Sequence, residues 1–153
     1  MEASREKLEL TRLLDAPRDL VWEAWSRPEH LVKWFAPDGF VCHCSMDFRV
    51  GGAVSIRLVG MGMDHTVTGV YQEIVVPERI VFTQEFSDIP GHPMRLTVTL
   101  AARGEKTELS VQQLFPASAK LTPAQQALIA PRIAGAPIGW GQTLDHLAEY
   151  VRT

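Results

Sequence analysis

Residues 40–113 alternate apolar and polar side chains in one short run after another, and this pattern constrains the fold more than any other feature. Alternation with a period of two is typical of strands that bury one face. The runs cover residues 40–48, 54–58, 65–74, 80–86, 96–100 and 107–113. Turn residues such as Gly51-Gly52 and Gly104-Glu105 separate them, so the sequence predicts an antiparallel meander with one apolar face still to be covered.

The C-terminal part of the chain supplies a helix that can cover this face. Within residues 139–151 the apolar side chains of Trp140, Leu144, Leu147 and Val151 fall on one helical stripe. Residues 123–130 predict only a separate turn or two of helix, because Pro131 and Pro137 follow and proline interrupts the helical hydrogen bonds. The stripe is therefore expected to pack on the open face of the sheet.

The N-terminal part adds one strand and two short helices. Residues 8–14 predict the strand, and two helices with apolar faces are expected to begin near Pro17 and Pro28. The whole of residues 1–153 is thus predicted to be one α+β domain. Its architecture is the helix-grip arrangement, a curved antiparallel sheet of about seven strands wrapped around a long C-terminal helix.

Charge and composition exclude several classes of function. The net charge is −3 and no run of Lys or Arg occurs, so the sequence gives no basic surface for nucleic acid. No apolar stretch reaches the length of a membrane span. The charged segment from Met1 to Lys7 lacks the apolar core of an export signal, and two cysteines one residue apart make a poor disulfide, so we expect a cytoplasmic protein.

Two glutamines are the first candidate binding residues. Gln84 and Gln113 occupy strand positions that otherwise hold inward-facing apolar residues. A buried amide is costly unless it finds hydrogen-bond partners, and a ligand in a cavity could supply them. A bond to the long helix or a β-bulge is the alternative. We expect the cavity to be lined by both glutamines together with Tyr71, Phe82, Cys44, Trp140 and Leu144.

Other motifs point less clearly to chemistry. Cys42-His43-Cys44 has too few ligands at the wrong spacing for zinc, so neither a metal nor another cofactor is expected. Asp64 and His65 would face opposite sides of a strand and cannot easily act on one atom, so the catalytic residues, if there are any, stay unassigned. The apolar turn Met61-Gly62-Met63 fits a gate, a contact in a homodimer or an ordinary turn equally well.

Several segments together resemble the family of the activator of the heat-shock protein 90 ATPase, within the START/SRPBCC superfamily, which includes the birch pollen allergen. The matching segments are 15–17 with 21–25, 28–35, 46–52, 69–74 with 77–83, and 139–147. The resemblance runs from about residue 8 to 152.

The resemblance implies a container that holds a small apolar or amphipathic molecule in an internal cavity. Relatives in the superfamily also cyclise or dehydrate polyketides, so a cyclase-like enzyme is the first alternative. A stress-response domain that contacts a chaperone is the second. The eukaryotic activator has an additional N-terminal domain for much of its chaperone contact, and we see no counterpart in this sequence, so we expect no chaperone activation.

Overall fold

The computed structural model of the protein describes residues 5–152. The first residues of the charged segment from Met1 to Lys7 therefore lie outside the described part. Within it the chain forms seven strands, three α-helices and a short 3-10 helix at Ser118–Lys120. None of these helices has both the length and the apolar character needed to cross a membrane. The strands are β1 Lys7–Leu14, β2 Phe40–Met46, β3 Ala53–Gly60, β4 Met63–Val75, β5 Arg79–Phe86, β6 Met94–Arg103 and β7 Lys106–Leu114; the helices are α1 Arg18–Ser26, α2 Pro28–Leu31 and α3 Pro123–Val151.

All seven strands belong to one curved antiparallel sheet in the order β1-β7-β6-β5-β4-β3-β2. Strands β2 to β7 form the predicted meander, and the last strand, β7, pairs with β1 at the start of the chain. The predicted α+β helix-grip architecture is confirmed. The two-residue turn between β3 and β4 consists of Met61 and Gly62, both with positive φ (53° and 75°), as the twist of a tight hairpin requires.

The long helix is one continuous element, so the predicted break at the two prolines is wrong. Helix α3 runs for 29 residues with Pro131 and Pro137 inside it. Both prolines are exposed, so water can satisfy the backbone carbonyls that lose a helical partner. The helix begins with a capping box, in which the Thr122 hydroxyl accepts from the Gln125 backbone N–H and the Gln125 side chain accepts from the Thr122 backbone N–H.

The main core lies between the concave face of the sheet and the second half of α3. Leu144 and Leu147 have no exposed surface, and Val151 continues the same stripe. Helix α1 and the turn after α2 add Trp25 and Trp34, whose rings meet edge to face with centroids 4.7 Å apart. The predicted stripe therefore packs where its spacing indicated.

A second, smaller cluster holds the first half of α3. Ile89 from the loop after β5, Leu121 and Ile129 form a buried group, with Phe86 and Ile133 packed against it. This small cluster is separate from the main core. The first half of α3 is therefore attached mainly to the loop between β5 and β6, whereas the second half packs on β1 and α1.

Candidate functional site

A cavity of about 190 Å³ lies between the sheet and the middle of α3. It is not sealed, because part of its wall opens to solvent. The wall is predominantly apolar, with sheet residues on one side and helix residues on the other. Representative residues are Ile56, Leu58, Val67 and Met94 from the sheet, and Ala136 and Trp140 from α3.

Gln84 and Gln113 bring buried amides into this apolar wall. Gln84 lies on β5 opposite Met94, and Gln113 lies on β7 opposite Leu96. Their side chains are 5% and 6% exposed, and both line the cavity. Strand alternation places them on the concave face, because their neighbours on that face are also buried. No bulge or register slip at these positions is needed to explain them.

The two amides belong to a short hydrogen-bond chain that begins on α3. The indole Nε1 of Trp140 donates to Gln113 Oε1 at 2.9 Å. Gln113 Nε2 then donates to Gln84 Oε1 at 3.3 Å and contacts the Met94 sulfur at 3.4 Å. Thus three of the seven expected cavity residues, Gln84, Gln113 and Trp140, meet in one polar group in the cavity wall.

The other four expected cavity residues lie in packed parts of the sheet and helix rather than in the cavity wall. Tyr71 is buried, with its hydroxyl 3.5 Å from the Met46 sulfur and its ring 5.5 Å from the ring of Phe82. Burial raises the pKa of the Tyr71 hydroxyl. Cys44 is half-buried on β2, and Leu144 is fully buried in the main core. Aromatic packing fills this end of the concave face, so the cavity forms at the other end.

Arg132 is a cavity residue that the sequence analysis missed. Its guanidinium donates to both carboxylate oxygens of Asp88, at 2.9 and 2.6 Å, and its carbon lies 4.5 Å from the centroid of the Phe86 ring. The hydrogen bonds from Arg132 lower the pKa of the Asp88 carboxyl. A signal was present, because Arg132 is the one charged residue between Lys120 and Asp145 in the sequence.

The remaining motifs stay outside the cavity wall. Cys42 and Cys44 are free thiols, and burial raises their pKa values to about 12 and about 11. Asp64 forms a two-point pair with Arg57, at 2.9 and 2.7 Å, while His65 is half-buried on the opposite face. Residues 5–152 contain no group of three His, Cys, Asp or Glu side chains placed to hold a metal ion. The expected absence of a metal stays a prediction, as does the role of the Met61-Gly62-Met63 turn.

A curved sheet that closes on a long helix, with an apolar cavity containing a few polar groups, defines the class as helix-grip domains. A sequence model described as Activator of Hsp90 ATPase homolog 1-like protein matches residues 15–152. The chain belongs to this family. No curated protein was found to match it.

Solved structures agree with this assignment. Protein CV1439 from Chromobacterium violaceum is 34% identical over 96% of this chain and 97% of its own, with a TM-score of 0.81. Protein NE0264 from Nitrosomonas europaea is 25% identical over 95% and 94%, with a TM-score of 0.75. An AHSA1-like protein from Aeromonas hydrophila, 21% identical over 95% and 92% with a TM-score of 0.67, shares the fold.

Proposed function

We propose that the protein binds a small apolar or amphipathic molecule in the cavity between the sheet and α3. The observation that carries this proposal is the convergence of Gln84, Gln113 and Trp140 in an otherwise apolar wall. Ligand sites commonly combine such a wall with a few polar groups that orient the ligand. The family and fold to which the chain belongs are consistent with this use.

The size of the cavity restricts the ligand. An apolar cavity of about 150 Å³ in another protein takes up benzene. A volume of about 190 Å³ with an opening therefore suits one or two rings, or a short chain whose end projects into solvent. Larger polyketides would have to leave part of their length outside.

The cyclase-like alternative has less support in the cavity. Acid–base catalysis needs a titratable side chain within hydrogen-bond reach of the substrate. Of the cavity-wall residues in the described part of the chain, the one with a charged side chain is Arg132, and that guanidinium is paired with Asp88. We therefore favour binding over catalysis. The expectation that the chain does not stimulate a chaperone ATPase stays a prediction.

The test is uptake and displacement of an environment-sensitive apolar dye. The wild-type protein should increase the fluorescence of the dye, and one- or two-ring compounds should displace it. Gln84→Leu should weaken binding of compounds with a polar group by about 0.5–1.5 kcal/mol and leave the fold intact. Gln112→Leu is the matched control, because Gln112 lies one residue from Gln113 on the outer face and donates to Glu9. If the wild type takes up no dye and releases no small molecule in native mass spectrometry, the proposal is wrong.

A further inference from the structure

The indole of Trp140 fixes the orientation of the amide hydrogen-bond chain. An indole N–H can only donate a hydrogen bond, whereas a glutamine amide can donate or accept. Trp140 Nε1 lies 2.9 Å from the Gln113 side chain, so the atom facing it must be the amide oxygen. This holds however the oxygen and nitrogen of that amide are assigned, because the reverse orientation would place two donors against each other.

The same argument passes to the second amide. With its oxygen on Trp140, Gln113 presents its Nε2 to Gln84 at 3.3 Å, and this donor requires the Gln84 oxygen. Gln84 is therefore left with its Nε2. Among residues 5–152 no atom accepts a hydrogen bond from that nitrogen, although the Gln84 side chain is only 5% exposed and lines the cavity. The nitrogen keeps solvent-accessible surface and faces open space in the cavity wall, where water or a ligand can accept its hydrogen bond.

We propose that the cavity selects ligands whose polar group accepts hydrogen bonds, namely a ketone, ester or carboxylate on a one- or two-ring apolar frame. This inference rests on the proposed function and names its ligand class. The oxygen of each amide already accepts one hydrogen bond, whereas the N–H₂ of Gln84 has no partner among residues 5–152. A ligand that can only donate must share an oxygen that already takes part in a hydrogen bond, whereas a ligand that accepts meets an unused donor.

Three bicyclic compounds of closely similar shape test this selectivity. Indanone carries a carbonyl acceptor, indane carries no polar group, and indole carries an N–H donor. Dissociation constants come from displacement of the dye or from NMR titration. We expect indanone to bind about threefold to tenfold tighter than indane, the usual effect of one hydrogen bond. Indole should gain less over indane than indanone does, because it must share an oxygen that already accepts a hydrogen bond.

Two variants separate the origin of the selectivity. Gln84→Met removes the donor, so indanone should lose its advantage over indane. Trp140→Phe removes the indole that orients the amides, so each amide can exchange the positions of its oxygen and nitrogen. The affinity for indole should then rise relative to the affinity for indanone. Trp22→Phe is the control for loss of an indole, because Trp22 contacts Phe48 and lies outside the cavity wall. In Trp22→Phe the ratios of the dissociation constants of indanone, indane and indole should equal those of the wild type.

The outcomes distinguish this inference from the function on which it rests. If no compound binds and no dye is taken up, the proposed function fails. If all three compounds bind the wild type with equal affinity, binding stands and the inference is overturned. Unchanged ratios in folded Gln84→Met would also overturn it, whether or not the Trp140→Phe variant folds.

Discussion

Truncation of Leu144 measures how much the packing of α3 on the sheet contributes to the free energy of unfolding. The side chain has no exposed surface and lies at the centre of the stripe that covers the sheet. Leu144→Ala removes three carbon atoms, and at about 0.8 kcal/mol for each buried methylene the lost transfer energy is about 2.4 kcal/mol. The space that remains unfilled adds to this loss. The free energy of unfolding should therefore fall by about 2–5 kcal/mol.

Urea unfolding followed by tryptophan fluorescence gives this difference directly. The midpoint should move to lower urea while the slope stays the same, because the folded and unfolded states expose similar surface in both proteins. Glu149→Ala is the control on the same helix, because Glu149 is exposed and lies off the stripe. It should change the stability by less than about 0.5 kcal/mol. A loss as small as this for Leu144→Ala would refute the packing of α3 on the sheet.

Three further predictions follow from other contacts. Gly69→Ala should destabilise by about 1–3 kcal/mol in urea melts, because the added Cβ would lie 1.8 Å from a backbone oxygen of β5, whereas Gly135→Ala, with nothing within 4 Å, should be neutral or stabilising. Burial raises the pKa of the Cys42 thiol to about 12 from 9.0, so the stability that the buried thiol contributes is complete below pH 9 and is lost as the pH rises towards 12. In Cys42→Ala the free energy of unfolding should therefore fall less steeply between pH 9 and pH 12. An unchanged slope would contradict the raised pKa of Cys42. Asp88→Asn should release the Arg132 guanidinium from its carboxylate partner and let it face the cavity. In dye displacement, the affinity for naphthylacetate should then rise roughly tenfold relative to the affinity for its amide. An unaltered ratio of these affinities would show that Arg132 does not reach the ligand.

The sheet could be predicted from the sequence because each strand carries its own signal. Alternation determines which side chains of a strand point inward, so the sequence predicts that Gln84 and Gln113 face the inner side of the sheet. The second half of α3 was equally clear from its stripe. Its first half was not, because the local rule that proline ends a helix does not include the solvation of an exposed face.

The cavity itself could be predicted only in part. Alternation shows that Tyr71 and Gln84 share a face, but it does not show how far along that face each lies from the helix. Packing of Tyr71 against Phe48, with ring centroids 5.0 Å apart, fills one end and leaves the other open. The partner of Trp140 and the position of Arg132 depend on how α3 crosses the sheet, which no local pattern encodes.

The separation of the small cluster from the main core affects how such a domain can diversify. The first half of α3 contributes Arg132 and Ala136 to the cavity wall, yet its buried contacts are those of the small cluster around Ile129. Elements held by few buried contacts open at lower free energy, so amide hydrogens of residues 123–138 should exchange faster than those of residues 139–151. If the cavity binds a ligand as proposed, mutations in this half should change ligand choice at little cost to folding. A mutational scan should find the tolerated, specificity-altering substitutions concentrated there.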